Sequence, residues 1–221
     1  MTTLPTTDPK PTAQPKTKPL DRFPDMGSLI AAMDRARADG DEALRAHYNP
    51  IYERSHAYSD GWGTHIPLLA SVIATAKRGP VLEIGVGRCS SPLVVEMCRA
   101  MDRDLVGIDA DQNWLDEIAT LGYPELHCMP DWSALESFLG AGRKWAVIFI
   151  DHGPGEARLP VLQTVHKHAD VESIVCHDTF NPGYLVGFDA ELDTFRYRYD
   201  YLLMPSCTSV VSDVKRYAGS P

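Results

Sequence analysis

Features typical of membrane-spanning or secreted proteins are missing from this sequence. No run approaches about 18 consecutive apolar residues, which excludes a membrane-spanning helix. Residues 1–30 contain no basic start followed by an apolar run, so we expect no secretory signal. The five cysteines are scattered and form no Cys-x-x-Cys pair, which argues against a disulfide framework and a structural zinc site. Together these absences predict a cytoplasmic protein without a membrane partner.

An excess of positive charge is also missing. The 221 residues include 21 lysines and arginines against 30 aspartates and glutamates, and the formal net charge is −9. A surface that follows nucleic-acid phosphates needs the opposite balance, so we predict no nucleic-acid partner. Arg196 and Arg198 alternate with tyrosines, which fits a strand with one solvated face better than a nucleic-acid surface. The composition leaves the oligomeric state open.

The start of the chain is poor in apolar side chains. Residues 1–24 are rich in proline and threonine and cannot bury enough surface to offset the entropy of ordering, which predicts a disordered tail. Apolar residues then recur at helical spacing, which predicts a helical cap or lid over residues 25–64. The remaining residues, 65–221, form the predicted main domain.

The boundary between the cap and the main domain carries aromatic and polar residues. Thr64 followed by Pro67 predicts the N-cap and first turn of a helix. Tyr58, Trp62 and His65 are candidates for a lid or for the acceptor pocket of an enzyme. An ordinary glycine-rich connector with a partly packed tryptophan explains the same segment.

Nearly continuous apolar runs alternate with helical patterns from residue 81 onward. The predicted buried strands are 81–84, 105–108, 126–129, 145–150 and 173–176. Such alternation predicts a parallel sheet covered by helices on both faces. Two further strand-like runs, 195–204 and 206–214, follow one another without a helix and predict an antiparallel pair. The fold class is therefore α/β: a doubly wound, mostly parallel seven-stranded sheet with a C-terminal antiparallel hairpin, in a three-layer α/β/α arrangement.

Each of five consecutive predicted strands ends in an acid or a histidine. The residues at these ends are Glu83, Asp109, Ala110, Asp131, Trp132, Asp151, His152, His177 and Asp178. In an open parallel sheet, ligands bind outside the carboxyl ends of the strands, near the point where the strand order reverses. We therefore expect these side chains to share one binding site.

The first of these strand ends continues into a glycine turn. Gly85 and Gly87 lack a Cβ, which allows a sharp turn and a close approach by a ligand. Asp109 follows at the end of the next strand, where a carboxylate can accept hydrogen bonds from ribose hydroxyls; a plain helix N-cap is the alternative. Glu83 would repel the pyrophosphate of a dinucleotide but would suit a cationic cofactor.

The segment Glu83-Ile84-Gly85-Val86-Gly87 resembles the first motif of class I S-adenosylmethionine-dependent methyltransferases, a Rossmann-like family. Asp109 resembles the family's ribose-binding acid, and Asp131-Trp132 is similar to the pair that contacts adenine. The resemblance covers about residues 65–215. It implies S-adenosyl-L-methionine as the cofactor, bound by Glu83, Gly85, Gly87, Asp109, Ala110, Asp131, Trp132 and Asp151.

Two further segments look like the small-molecule O-methyltransferases of that class: Phe149-Ile150-Asp151-His152 and Val175-Cys176-His177-Asp178-Thr179. This resemblance implies methyl transfer, most simply O-methylation, to a small-molecule or peptide acceptor. His152, His177 and Asp178 are the catalytic candidates near the reacting methyl group. His152 packed along adenosine, or His177 turned away from the pocket, are the structural alternatives. The loop at 181–184 is placed to contact the acceptor.

The resemblance leaves a metal open. In metal-dependent relatives, the acid after the fourth strand and an Asp-Asn pair after the fifth bind magnesium, and a nearby lysine is the base. Asp151 and Asp178 match two ligands, but Thr179 replaces the asparagine, and residues 153–155 contain no lysine. Magnesium is therefore possible but no metal ligand is predicted.

Two other functions fit the same pattern. A similar sheet serves NAD(P)-dependent oxidoreductases, and a methyltransferase-like domain can also persist as a non-catalytic binding module. Binding of S-adenosylhomocysteine, without binding of NAD(H) or NADP(H), would distinguish the methyltransferase from the oxidoreductase.

Overall fold

The computed structural model of the protein describes residues 63–77, 79–179, 187–201 and 207–217. The predicted tail, most of the predicted cap, Tyr58, Trp62 and the loop at 181–184 lie outside these ranges. Within the residues that are described, no helix combines the length and the apolar character needed to cross a bilayer.

Six α-helices and seven strands are described. In chain order they are α1 (Ile66–Thr75), β1 (Val81–Ile84), α2 (Ser90–Ala100), β2 (Leu105–Asp109), α3 (Gln112–Ala119), β3 (Leu126–Cys128), α4 (Leu135–Leu139), β4 (Lys144–Ile150), α5 (Arg158–His168), β5 (Asp170–His177), α6 (Phe188–Leu192), β6 (Tyr197–Tyr201) and β7 (Thr208–Ser212). A short 3₁₀ turn, Gly155–Ala157, precedes α5.

All seven strands belong to one sheet in the order β3-β2-β1-β4-β5-β7-β6. β1 pairs in parallel with both β2 and β4, and β4 pairs in parallel with β5. β7 is antiparallel to both β5 and β6 and lies between them. The predicted fold class is confirmed, including the C-terminal antiparallel pair. The strand order reverses between β1 and β4, where ligands bind in such sheets.

Alternate residues of the central strands enter two separate apolar cores, one on each face of the sheet. Val81 and Phe149 pack into the core that contains α1 and α2. Leu82 and Ile148 pack into the core that contains α5 and α6. Because both faces are covered, these strands carry apolar residues at nearly every position, which explains their nearly continuous apolar runs.

The start of α1 differs from the prediction. His65, not Thr64, occupies the N-cap position, and no side chain caps the helix. The Thr64 hydroxyl instead lies 2.8 Å from Nε2 of His177, 113 residues away in the chain. The Thr64 hydroxyl therefore makes a tertiary contact instead of the N-cap hydrogen bond that the sequence predicts.

The region before β6 also differs, because α6 was not predicted there. The alternation along β6 is confirmed, since Tyr199 and Tyr201 are buried while Arg198 is partly exposed. The Arg198 guanidinium forms ion pairs with Asp189, Asp193 and Asp200 at 2.5–2.8 Å. It thus ties the loop around α6 to the edge strand.

Candidate functional site

The register of the sheet aligns the predicted site residues along one edge. Ile84 of β1 pairs with Ile108 of β2 and with Ile150 of β4, and Ile150 pairs with Cys176 of β5. The residues that follow these four positions are Gly85, Asp109, Asp151 and His177. They therefore lie side by side at the carboxyl ends of the central strands.

The two glycines of the turn after β1 are required for different reasons. Gly85 has φ +91°, and a Cβ there would lie 2.4 Å from backbone atoms of His152, so the turn packs directly on the chain after β4. Gly87 has open space where a Cβ would lie, since the added atom would meet only Oγ of Ser90, at 3.7 Å. Gly85 is needed for packing, and Gly87 leaves room for a ligand.

Glu83 lies beneath this turn and is completely buried. Its Oε2 accepts hydrogen bonds from the Tyr123 hydroxyl at 2.8 Å and from Oγ of Ser91 at 3.0 Å. The same Ser91 oxygen accepts a hydrogen bond from the backbone N–H of Gly87 at 2.8 Å. Burial raises the pKa of Glu83 to about 7. Glu83 is therefore connected to the glycine turn by hydrogen bonds through the Ser91 hydroxyl.

Asp109 ends β2 and is half-buried, with Ala110 directly after it. Its Oδ1 accepts a hydrogen bond from the backbone N–H of Asp111 at 3.0 Å, and burial raises its pKa. The N-cap of α3 is Asp111, whose side chain accepts from the backbone of Asn113. The alternative reading of Asp109 as the helix N-cap is therefore wrong.

Asp131 and Trp132 follow β3 but face different surroundings. Asp131 is exposed and accepts hydrogen bonds from Oγ and the backbone N–H of Ser133, which lower its pKa. Trp132 has φ +59° and is half-buried, and its ring centroid lies 4.3 Å from that of His152. Trp132 and His152 thus form an aromatic wall next to the glycine turn.

His152 itself is buried, and burial lowers its pKa to about 4. Within the described part of the chain its Nε2 has no hydrogen-bond partner. The ring is therefore neutral at neutral pH and presents one unused polar atom.

Arg158 connects the acids that follow β4 and β5. Its guanidinium lies 2.9 Å from Oδ1 of Asp151 and 2.8 Å from Oδ2 of Asp178, and it also bonds the carbonyl of His152. Burial alone would raise the pKa of Asp151, but His177 and Arg158 hold it below its usual value. Sequence reasoning missed Arg158, because nothing local separates it from other arginines at the start of a helix.

His177 is buried against the same acids. Its Nδ1 lies 3.0 Å from Oδ1 of Asp151, and its Nε2 lies 2.8 Å from the Thr64 hydroxyl and 3.6 Å from Oδ1 of Asp178. The ring of His65 makes an edge contact with it, with ring centroids 4.6 Å apart and an angle of 67° between the ring planes. The structure therefore brings His177, Asp178 and Asp151 into one cluster around Arg158, with His65 beside it. His152 joins this cluster only through its backbone carbonyl.

The magnesium site of the metal-dependent O-methyltransferases does not fit this cluster. Arg158 bridges the two matching carboxylates, Asp151 and Asp178, so its guanidinium holds the position of a cation. Thr179, which replaces the third ligand, is buried and its hydroxyl bonds Oγ of Ser209 at 2.8 Å.

No protein-family model matches the chain, and no curated protein matches its sequence. Among solved structures, the SAH-bound Podospora anserina methyltransferase PaMTH1 superposes with a TM-score of 0.54 over 85% of this chain and 96% of that one, at 14% identity. The chain therefore has the same Rossmann-like fold as that methyltransferase structure.

Two further methyltransferase structures are similar at lower scores. A Klebsiella pneumoniae protein described as a candidate O-methyltransferase has 17% identity and a TM-score of 0.49, covering 85% of this chain and 97% of that one. Human methyltransferase-like protein 13, in complex with SAH, has 15% identity and a TM-score of 0.46, covering 76% and 82%. The superposition on the Podospora anserina structure confirms, at the level of the fold, the resemblance predicted from the glycine motif and the strand ends.

Proposed function

We propose that the protein is an S-adenosylmethionine-dependent methyltransferase that methylates an oxygen of a small-molecule or peptide acceptor. The observation that carries this proposal is the glycine turn at the β1–β4 switch point, with Gly87 open to a ligand and Asp109 beside it. In a methyltransferase fold, that is the position of the cofactor. The cofactor, when bound, supplies a methyl group already activated by its sulfonium, so the chain has mainly to bind and orient.

The cofactor-binding residues divide by the part of the ligand that each would hold. The open face of Gly87 suits close approach of the amino-acid portion, and the Asp109 carboxylate suits the ribose hydroxyls. Trp132 and Ala110 offer apolar surface for adenine, and the exposed Asp131 lies at its rim. Glu83 and Gly85 act as positioning residues, because they fix the turn from below.

The charge of the site favours a cationic sulfur nucleoside over a dinucleotide. Asp109 and Asp151 lie on either side of the glycine turn, and the buried carboxyl of Glu83 lies beneath it. A pyrophosphate at this turn would meet acidic groups, whereas a sulfonium would be stabilised by them. This argument supports the methyltransferase over the NAD(P)-dependent oxidoreductase.

The acceptor side is proposed to lie at His152, His177 and Asp178. An acceptor hydroxyl has to lose its proton, and His177 is the best placed of the three, because Asp151 and Thr64 fix its ring. His152 is a weak base with its lowered pKa of about 4, so an orienting role at its free Nε2 suits it better. Asp178, paired with Arg158, is proposed to position His177.

Equilibrium binding tests the proposal. We expect micromolar binding of S-adenosylhomocysteine and no binding of NADH or NADPH by calorimetry. Asp109→Ala should weaken that binding at least about tenfold, which is about 1.4 kcal/mol. Asp116→Ala, on the exposed face of α3, is the matched control and should bind normally.

Binding of NADH or NADPH in place of S-adenosylhomocysteine would overturn the proposal in favour of the oxidoreductase. Methyl transfer from S-adenosylmethionine to a panel of phenols, carboxylates and peptides can be measured by mass spectrometry. If the protein binds S-adenosylhomocysteine but methylates none of these acceptors, the result would favour the non-catalytic module.

A further inference from the structure

We propose that His65, His177 and Asp151 form a binding site for a divalent transition metal of the zinc type. The nitrogen and oxygen atoms that these three side chains can offer all lie within 4.8 Å of one another. They come from three separate places: the residue before α1, the end of β5 and the residue after β4. This ligand set differs from the magnesium set that the family resemblance implies, which contains neither histidine.

The state of His65 is the observation that points to a ligand. Its side chain is 1% exposed, and neither ring nitrogen has a hydrogen-bond partner among the described residues. A neutral imidazole carries one N–H donor and one acceptor, and burying both without partners is costly. A metal ion bound to one nitrogen would satisfy that atom and account for its orientation.

The distances around Asp151 fit an ion between its two histidine neighbours. Oδ2 of Asp151 lies 3.9 Å from Nδ1 of His65, which is too long for a hydrogen bond. Bonds from zinc to a carboxylate oxygen and to an imidazole nitrogen are each about 2.0–2.2 Å, so one ion can contact both atoms across that gap. Nδ1 of His177 is already 3.0 Å from the other oxygen of the same carboxylate.

The chemistry of the three ligands selects the kind of metal. Two imidazoles and one carboxylate suit zinc and related transition metals, whereas magnesium prefers oxygen ligands throughout. The surrounding charge also favours a cation, because Asp151 and Asp178 together carry two negative charges against the single positive charge of Arg158. The formal charges of these three side chains therefore sum to −1.

A second layer of contacts would orient His177 toward the ion. With Nδ1 of His177 on the metal, its Nε2–H would donate to the Thr64 hydroxyl, now 2.8 Å away, with Oδ1 of Asp178 at 3.6 Å. Metal-binding histidines commonly donate their other N–H to an oxygen in this manner, which fixes the ring. The contact between Thr64 and His177, which replaces the predicted N-cap of α1, would thus orient a metal ligand.

The inference deepens the proposed function, and in part rests on it. Three protein ligands leave a coordination position for an exogenous oxygen, and a metal there would lower the pKa of an acceptor hydroxyl. His177 would then serve as a ligand instead of a free base. The binding of the metal itself does not depend on methyl transfer.

Metal binding to the full chain tests the inference. Protein stripped with a chelator should bind one zinc ion per chain in calorimetry and should not bind magnesium at the same concentrations. X-ray absorption at the zinc edge should count two imidazole ligands. His65→Gln should reduce that count to one and weaken zinc binding at least about 100-fold. His127→Gln, which changes a partly exposed histidine outside the proposed site, should alter neither.

Other outcomes decide against the site. Absence of zinc binding, a zinc ion without imidazole ligands, or equal binding by wild type and a folded His65→Gln variant would overturn it. If His65→Gln does not fold, Asp151→Asn is used as the variant with weakened zinc binding. The count of imidazole ligands in the wild type tests the site without any variant. If the protein binds S-adenosylhomocysteine but not zinc, only the metal site is overturned. If it binds zinc but not S-adenosylhomocysteine, only the proposed methyltransferase activity is overturned.

Discussion

The Ser91 hydroxyl donates a hydrogen bond to the buried Glu83 carboxylate at 3.0 Å while accepting one from the backbone of the glycine turn. Ser91→Ala removes both bonds and leaves the N–H of Gly87 without this partner. We expect the free energy of unfolding to fall by about 1–3 kcal/mol, measured by urea denaturation. Ser137→Ala, on the exposed face of α4, is the control and should change it by less than about 0.5 kcal/mol. Equal stability of both variants would contradict a structural role for Ser91.

Glu83 should make the protein less stable as the pH rises toward neutrality. Its pKa is about 7 in the folded protein against an ordinary value of 4.5, because burial disfavours the charged form. Between these two values the unfolded chain loses the proton while the folded chain keeps it, so unfolding becomes easier with rising pH. The full effect above pH 7 is about 3 kcal/mol.

The Glu83→Gln variant isolates this effect, because glutamine keeps an oxygen for Ser91 and Tyr123 but does not titrate. We expect the stability of the variant relative to wild type to increase by about 3 kcal/mol between pH 4 and pH 8, measured by urea denaturation at both values. A stability difference that is independent of pH would show that Glu83 has an ordinary pKa.

The two glycines of the turn should respond differently to alanine. Gly85→Ala forces a Cβ to within 2.4 Å of the His152 backbone at φ +91°, so we expect a loss of at least about 2 kcal/mol in stability. Gly87→Ala meets open space and should stay within about 0.5 kcal/mol of wild type. Because the proposed cofactor occupies that space, Gly87→Ala should still weaken S-adenosylhomocysteine binding, at least about tenfold in calorimetry. Normal binding by Gly87→Ala would place the ligand elsewhere.

Arg158 should be essential to stability, in contrast with an exposed arginine. Arg158→Met leaves the partly buried carboxylates of Asp151 and Asp178 without their shared cation, and we expect a loss of about 3–5 kcal/mol in urea denaturation. Arg88→Met removes a solvent-exposed pair with Glu117 and should cost less than about 1 kcal/mol. Similar losses for the two variants would mean that the Arg158 network is solvated in solution.

The strands were predictable because their signal is local. β1 matches its predicted bounds and β4 differs from 145–150 by one residue, since a strand covered on both faces carries apolar residues at nearly every position. α6, a helix of five residues, was not predicted.

The site was predictable only where one segment of chain builds it. The glycine turn and Asp109 follow from the motif and from its distance to the next strand end. The partners of Glu83 and Asp151 do not, because Tyr123 and Arg158 reach them through tertiary packing from other elements. The burial of Glu83 could not be read from its neighbours for the same reason.

The position of β7 within the sheet constrains how the protein can be made. β6 is synthesised before β7, yet it joins the sheet only through β7, which lies between it and β5. During translation, the row of backbone groups along β5 therefore stays unpaired until residues 208–212 have left the ribosome. We expect the nascent chain to hold an open sheet edge until that moment and to complete its last two strands in a single closing step.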